Sequence, residues 1–225
     1  MTTRFPYTII IAGLLALAGL SSAVSARPLA GRTRLEFGGG MRHHPGVSEA
    51  AFCIDDNWTW GSTSGVYGKI GLSHWTSEDI AFAIDYTVHD VEIDTWSGYC
   101  GDRWEEVQLV HSLMFGFRFY WPQSRRYSPV RPYLSAAAGP FMGTIEYQEE
   151  GPCDCESYTE VDHTVVPGAR LGGGVDFLLG RHFIMGFTGG YVFADEFSNP
   201  VGGRFDYSGS EFGMSFSIIF GRGRR

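Results

Sequence analysis

"GARLGGGVDFLLGRHFIMGFTGGYVF", residues 168–193, carries glycine at 168, 172, 173, 174, 180, 186, 189 and 190. In a phosphate-cradling loop such glycines follow a strand and open a helix, so a helical apolar period comes after them. Here Val175, Phe177 and Leu179 follow at a period of two. A three-residue turn, Gly180-Arg181-His182, leads into Phe183, Met185, Phe187, Tyr191 and Phe193, again on one parity. That pattern argues against a nucleotide loop and predicts a β-hairpin. Gly168, Gly172, Gly174, Gly186 and Gly190 share the parity of Arg170 and Asp176, so one face is small and charged while the other is large and apolar. Gly173 and Gly189 fall on the large apolar face, where only a local bend is expected of them.

The same alternation recurs along the chain. Ile80, Phe82, Ile84, Tyr86 and Val88 oppose Ala81, Ala83, Asp85, Thr87 and His89. Val66, Ile70 and Leu72 oppose Tyr67, Lys69, Gly71 and Ser73. Val107, Leu109, Leu113, Phe115, Phe117 and Phe119 oppose Gln108, Ser112, Gly116 and Arg118. Near the end, Phe212, Met214, Phe216, Ile218 and Phe220 oppose Glu211, Gly213, Ser215 and Ser217. Two less tidy segments complete the set: Arg32 to His43, with Leu35 and Phe37 before a Gly38-Gly39-Gly40 run, and Tyr133 to Tyr147, whose inward face Pro140 and its alanines leave ambiguous. Eight strands result, an even number that can close antiparallel and leave no edge.

Polarity then separates two kinds of barrel. A soluble lipocalin-like binder turns its large apolar residues inward, whereas a membrane barrel turns them to lipid around a polar lumen. The face opposite the large apolars holds Lys69, Asp85, Gln108, Arg118, Arg170, Asp176 and Glu211 among serines and glycines, and small residues suit strands crowded around a narrow axis. It is read as the lumen. Short turns ("TSED" after Trp75, "GRH" before Phe183) alternate with long acidic connections (44–62, 94–104, 149–162, 196–206), the asymmetry of an outer-membrane barrel. "PQSRRYSPVR", Pro122 to Arg131, is long for the short side. Trp75, Tyr120, Trp121 and Tyr147, near strand ends, are expected in interfacial girdles.

The N-terminus reads as an export signal: Arg4, an apolar run from Ile9 to Leu20, and the small residues Val24-Ser25-Ala26 predict cleavage after residue 26. The mature chain, 27–225, then has 16 basic and 25 acidic residues, which points away from nucleic acid. At about 199 residues it suits one all-β domain. No later segment has the length and apolarity of a transmembrane helix, so membrane crossing would use strands.

Across 32–220 the chain resembles the small eight-stranded OmpA/OmpX-type outer-membrane β-barrel family. The most specific carrier is "EFGMSFSIIF", residues 211–220, which is similar to the terminal assembly signal of such barrels through Gly213, Phe216, Ile218 and Phe220. "GRGRR" follows, where the family usually ends on the aromatic; the basic tail 221–225 reads as periplasmic or as a variant of the signal. The resemblance implies an all-β, up-and-down transmembrane barrel, contacting outer-membrane lipid and lipopolysaccharide, inserted by the barrel-assembly machinery, and monomeric, with no cofactor; it does not imply a particular task.

Cys53, Cys100, Cys153 and Cys155 all fall in long connections of an exported chain, which favours loop disulfides, Cys53 with Cys100 and Cys153 with Cys155 or joined elsewhere, among the three pairings four cysteines allow. "CDCES" with His163 offers a metal reading, but Cys-x-Cys does not fit zinc spacing and an oxidising compartment disfavours thiolates. A lipid A-modifying enzyme of this fold needs a His–Ser pair at the outer leaflet. "SHWTSE" (Ser73, His74, Ser77, Glu78) lies at the short-turn end, and His111 of "VHS" falls on the lipid face beside Ser112. Eight strands leave an interior that side chains fill, so Lys69, Asp85, Arg118, Arg170, Asp176 and Glu211 are expected to form a salt-bridge plug rather than a wide pore. The expected role is structural or surface-interacting through acidic, disulfide-constrained loops that hold an extracellular ligand.

Overall fold

The computed structural model describes residues 28–44, 53–54, 57–58, 64–97, 103–121, 128–150, 158–201 and 204–222. The expected signal segment 1–26, Cys100, Cys153, Cys155 and residues 223–225 lie outside them. Eight long strands close a barrel: β1 (Thr33–His43), β4 (Ser64–Trp75), β5 (Ile80–Ser97), β6 (Arg103–Tyr120), β7 (Val130–Glu150), β8 (Tyr158–Leu179), β9 (Phe183–Ala194) and β10 (Gly209–Phe220). A separate two-stranded ribbon joins β2 (Cys53–Ile54) to β3 (Asn57–Trp58). Each barrel strand pairs antiparallel with its neighbours in the chain, and β1 pairs with β10, with Thr33 opposite Phe220, to close the ring. This is the up-and-down topology expected of the alternating pattern.

The turns are tight where the strands return on the short side. β4 passes to β5 through residues 76–79, where Thr76 N–H and Ser77 N–H donate to the Ile80 carbonyl. β8 passes to β9 through Gly180, whose φ of 88° lies in the left-handed region that glycine enters without steric cost. On the opposite side, strand continues into two of the connections expected as long loops. β5 and β6 pair as far as Ser97 with Arg103, and β7 and β8 as far as Glu149 with Tyr158. β4 follows β5 only to Val88 and β9 follows β8 only to Ala194, so four strands continue alone beyond the barrel rim. The register of β5 on β6 shifts between Val88 and Asp90, at the level where the extension departs. A bulge of this kind bends a strand and increases its twist.

The polarity is that of a barrel turned inside out. Val66, Phe117, Leu134, Val165, Leu171, Phe212 and Met214 lie on the outer face, 56–75% exposed. Inside, two apolar clusters occupy the ends of the lumen. At the short-turn end Leu29, Trp75, Ala81, Tyr120, Tyr133, Leu178, Ile184 and Ile219 pack together. At the other end Val110, Met114, Phe141, Ile145, Val166 and Val192 meet Phe197, Val201 and Tyr207 from the β9–β10 connection. Two girdle expectations are therefore corrected: Trp75 and Tyr120 are fully buried in the lower plug, because the last residue of each strand keeps inward parity. Trp121 and Tyr147 do face outward. The face of β7 left ambiguous resolves into Tyr133, Phe141, Gly143 and Ile145 inside and Leu134, Ala136 and Ala138 outside.

The glycines of the opening stretch have distinct neighbours. A Cβ on Gly174 would come within 2.7 Å of the Tyr133 hydroxyl, and one on Gly168 would strike the Phe141 ring, so these inward glycines are sockets for aromatics from the adjacent strand. Gly173 and Gly189 face outward as a cross-strand pair, and the Phe212 ring lies over Gly189, at 3.2 Å from where a Cβ would stand.

Candidate functional site

Between the two plugs lies a layer of buried charge. Its hub is Glu36, which alternation on β1 puts inward with Arg34 and Arg42, opposite Leu35, Phe37 and Met41. The Glu36 carboxylate meets Arg34 at 2.6 Å, Lys69 at 2.5 Å and Arg118 at 2.7 Å. Arg34 also reaches Asp176 at 2.5 Å, where the Tyr120 hydroxyl donates at 2.8 Å, and its Nε donates to Ser217 Oγ at 2.8 Å. Asp85 joins Arg118, at 3.4 Å, to Arg170. Glu211 accepts from Arg42 at 2.9 Å and has Arg170 at 3.7 Å. The structure thus brings Lys69, Asp85, Arg118, Arg170, Asp176 and Glu211 into one network, through three residues on β1 that the sequence reading passed over. Thr33, Leu35, Phe37 and Met41 are the signal that would have found them: they hold one parity through the glycine run, which leaves Arg34, Glu36 and Arg42 on the other.

Charges this deeply buried are retained only when paired and hydrogen-bonded. Each carboxylate here touches at least one guanidinium or ammonium. Arg118 lies 5.6 Å from the Tyr133 ring centroid and Arg42 5.9 Å from that of Tyr67, so aromatic faces solvate the cations where carboxylates do not. Apolar clusters lie above and below this charged layer.

The lower mouth is capped by the chain that precedes β1. Leu29 N–H and Ala30 N–H donate to the Glu78 carboxylate at 3.2 and 3.0 Å, and Gly31 N–H donates to the Trp75 carbonyl. The upper mouth is capped by residues 195–201 and 204–208. Tyr207 donates to the Val201 carbonyl at 2.6 Å and packs edge-on against Phe197 and His44. His44 sits just past β1, with Nδ1 3.1 Å from the Ser208 carbonyl oxygen. Burial, then the positive charges of Arg204 and Arg42, push its imidazole down to about 4.

The two sequence elements weighed for hydrolysis do not assemble. Ser73 faces the lumen while His74 faces outward to Thr33 Oγ1, at 3.1 Å. Ser112 is inside, and His111 is outside against the Tyr86 hydroxyl at 2.9 Å. Adjacent strand residues point to opposite faces, so neither His-Ser neighbour pair can act together. A different pair does meet: His89 Nε2 lies 2.7 Å from Ser112 Oγ, buried below the upper plug, with the His89 ring stacked on Phe141 and no carboxylate on Nδ1. Of the cysteines, only the backbone of Cys53, opposite Trp58 in the β2–β3 ribbon, lies among the described residues. Gly213 is the socket for the Tyr67 hydroxyl, and Phe216, Ile218 and Phe220 face outward on β10.

A closed eight-stranded meander with a charged interior and an apolar exterior is the architecture of the small outer-membrane β-barrels, not of the lipocalin-type binders, whose polarity is opposite. No family model and no curated protein matches the chain. Among solved structures it is similar to Ail, the attachment invasion locus protein of Yersinia pestis, at 10% identity over 85% of this chain and 99% of that one, with a TM-score of 0.46. It is also similar to Neisserial surface protein A (14% identity, 85% and 98%, TM-score 0.44) and to OprG from Pseudomonas aeruginosa (13%, 86% and 97%, TM-score 0.44). At these identities and TM-scores the likenesses transfer no function.

Proposed function

We propose that this chain is an integral outer-membrane protein that does not conduct and that displays the extended β5–β8 sheet as an interaction surface for a basic partner. The observation that carries the reading is that sheet. From Asp90, Val110, Gly143 and Val166 outward, four paired strands stand clear of β4 and β9. Eight or so residues of strand correspond to roughly 25 Å of projection. Its two outer edges, on β5 and β8, have no strand partner among the described residues, and exposed edges are templates for a further strand. Charge selects the partner. The extensions contain Asp90, Glu92, Asp94, Glu105, Glu106, Glu146, Glu149, Glu150, Glu160 and Asp162 against Arg103, and Asp94 stands directly opposite Glu106. Like charges opposed across strands are destabilising until a cation approaches, so complementary charge would raise both association rate and specificity.

The membrane part of the proposal is supported by the outward Phe, Leu, Val and Met side chains, which water would not tolerate as a continuous belt. In this reading Gly213, Phe216, Ile218 and Phe220 serve recognition by the barrel-assembly machinery, and lipid and lipopolysaccharide contact the belt of a monomer. Two measurements separate the parts. Heat-modifiable migration in outer-membrane fractions tests the barrel in its membrane; its absence removes that placement. Binding of an alternating Lys-Val peptide to purified protein tests the sheet, with a proline-interrupted peptide as control. Equal binding to a variant whose two hairpins are shortened at the rim, or to the proline peptide, would refute strand addition.

A further inference from the structure

We propose that the upper lumen holds a small monovalent anion of the chloride class, bound by the Arg42 guanidinium with Arg170 and His89 beside it. The first observation is charge balance. Between the plugs, the described side chains supply five cations, Arg34, Arg42, Lys69, Arg118 and Arg170, and four carboxylates, Glu36, Asp85, Asp176 and Glu211. The excess is local. Arg34, Lys69 and Arg118 are matched in the lower layer by Glu36, Asp176 and Asp85, whereas Arg42 and Arg170 converge on Glu211, with Arg170 drawing also on Asp85.

The second observation is a set of donors with nothing to donate to. Arg42 uses Nη2 on Glu211, but its Nε and Nη1 are buried without a protein partner, and so is His89 Nδ1. In the tautomer whose Nε2 accepts from the Ser112 hydroxyl, Nδ1 carries the ring proton and is a donor. Arg42 and His89 both border the Phe141 ring, at 6.0 Å and 4.9 Å from its centroid. A buried donor left unmade is expensive, and a buried unmatched charge more so; one monovalent anion answers both, whereas a dianion would reverse the imbalance. Gly190 and Gly172 lie opposite one another in the cross-strand row that contains Glu211 and Arg42, and a Cβ on either would stand 2.7 Å from a carbonyl oxygen of the facing strand, so the row admits no side chain at these two positions.

The test uses the folded full-length barrel in detergent. Diffraction from crystals equilibrated in sodium bromide should show an anomalous peak within hydrogen-bond distance of the Arg42 guanidinium. Chlorine NMR should show saturable line broadening against a gluconate background at constant ionic strength, weakened about tenfold or more in Arg42→Gln, as loss of a charge-assisted bond predicts. Bromide found only on the outer surface, an adventitious ion only, would overturn the proposal, as would broadening undiminished in Arg42→Gln. Should that variant fail to fold, the bromide result on the unmodified protein decides.

Discussion

Replacing Glu36 with glutamine removes the charge at the centre of the lumen network and leaves its shape. The glutamate makes ion pairs of 2.5, 2.6 and 2.7 Å with Lys69, Arg34 and Arg118. Arg34 keeps Asp176 and Arg118 keeps Asp85, but Lys69 loses its ion pair and keeps only the longer-range attraction of Asp85. Stranding one buried charge costs about 3–5 kcal/mol. That is on the order of 150-fold or more in the folded-to-unfolded ratio. The urea midpoint, followed by tryptophan fluorescence and by heat-modifiable migration, should fall accordingly. The double variant Glu36→Gln/Lys69→Met should recover most of the loss, since the stranded ammonium is gone and an unbranched apolar chain of similar length replaces it. A loss below about 1 kcal/mol in the single variant, or no recovery in the double, would refute the view that Glu36 is the hub and Lys69 its dependent.

Acid should loosen the upper cap before the barrel. With its pKa near 4 in the closed cap against 6.5 when free, buried His44 resists a proton that the released ring accepts, so closure is fully favourable above 6.5 and weakens as pH falls toward 4. Hydrogen exchange of the Phe197, Val201 and Arg204 amides, corrected for intrinsic rates, should accelerate over that range, and His44→Phe should abolish the dependence. Gly213→Ala sets a Cβ against the Tyr67 hydroxyl and should cost about 1–3 kcal/mol by overpacking, partly relieved by Tyr67→Phe; equal denaturation midpoints for the single and double variants would contradict the socket. Glu78→Gln weakens two charge-assisted bonds to Leu29 N–H and Ala30 N–H and should speed exchange of those amides while leaving β10 unchanged.

How far the sequence carries can be read from particular residues. On β10, Phe212 to Ile218 alternate without a break, and a chain whose side chains point up and down in turn has no freedom to depart from that order. The eight strands, their sequence, the tight turns at 76–79 and 180–182 and the outward belt were therefore legible. β1 was harder because Gly38, Gly39 and Gly40 interrupt the apolar parity where it matters, hiding Arg34, Glu36 and Arg42. Trp75 and Tyr120 were misread because an aromatic at a strand end can turn to lipid or to lumen, and only its parity, not its type, decides. Only the outermost parts of β5–β8, 94–97, 103–104, 149–150 and 158–162, fall in stretches expected as loops, because acidic residues suggest a solvated connection; pairing with an adjacent strand overrides that local preference.

The sequence by itself thus determined a period-two chain with one apolar and one small, charged face, repeated often enough to close. Closure, register and contact were decided in three dimensions. Nothing local to Glu36 specifies Arg118, 82 residues away, as its partner. That pairing arises because the ring brings non-neighbouring strands face to face across a lumen too narrow for water to separate them, and low dielectric then makes each charge depend on finding its opposite.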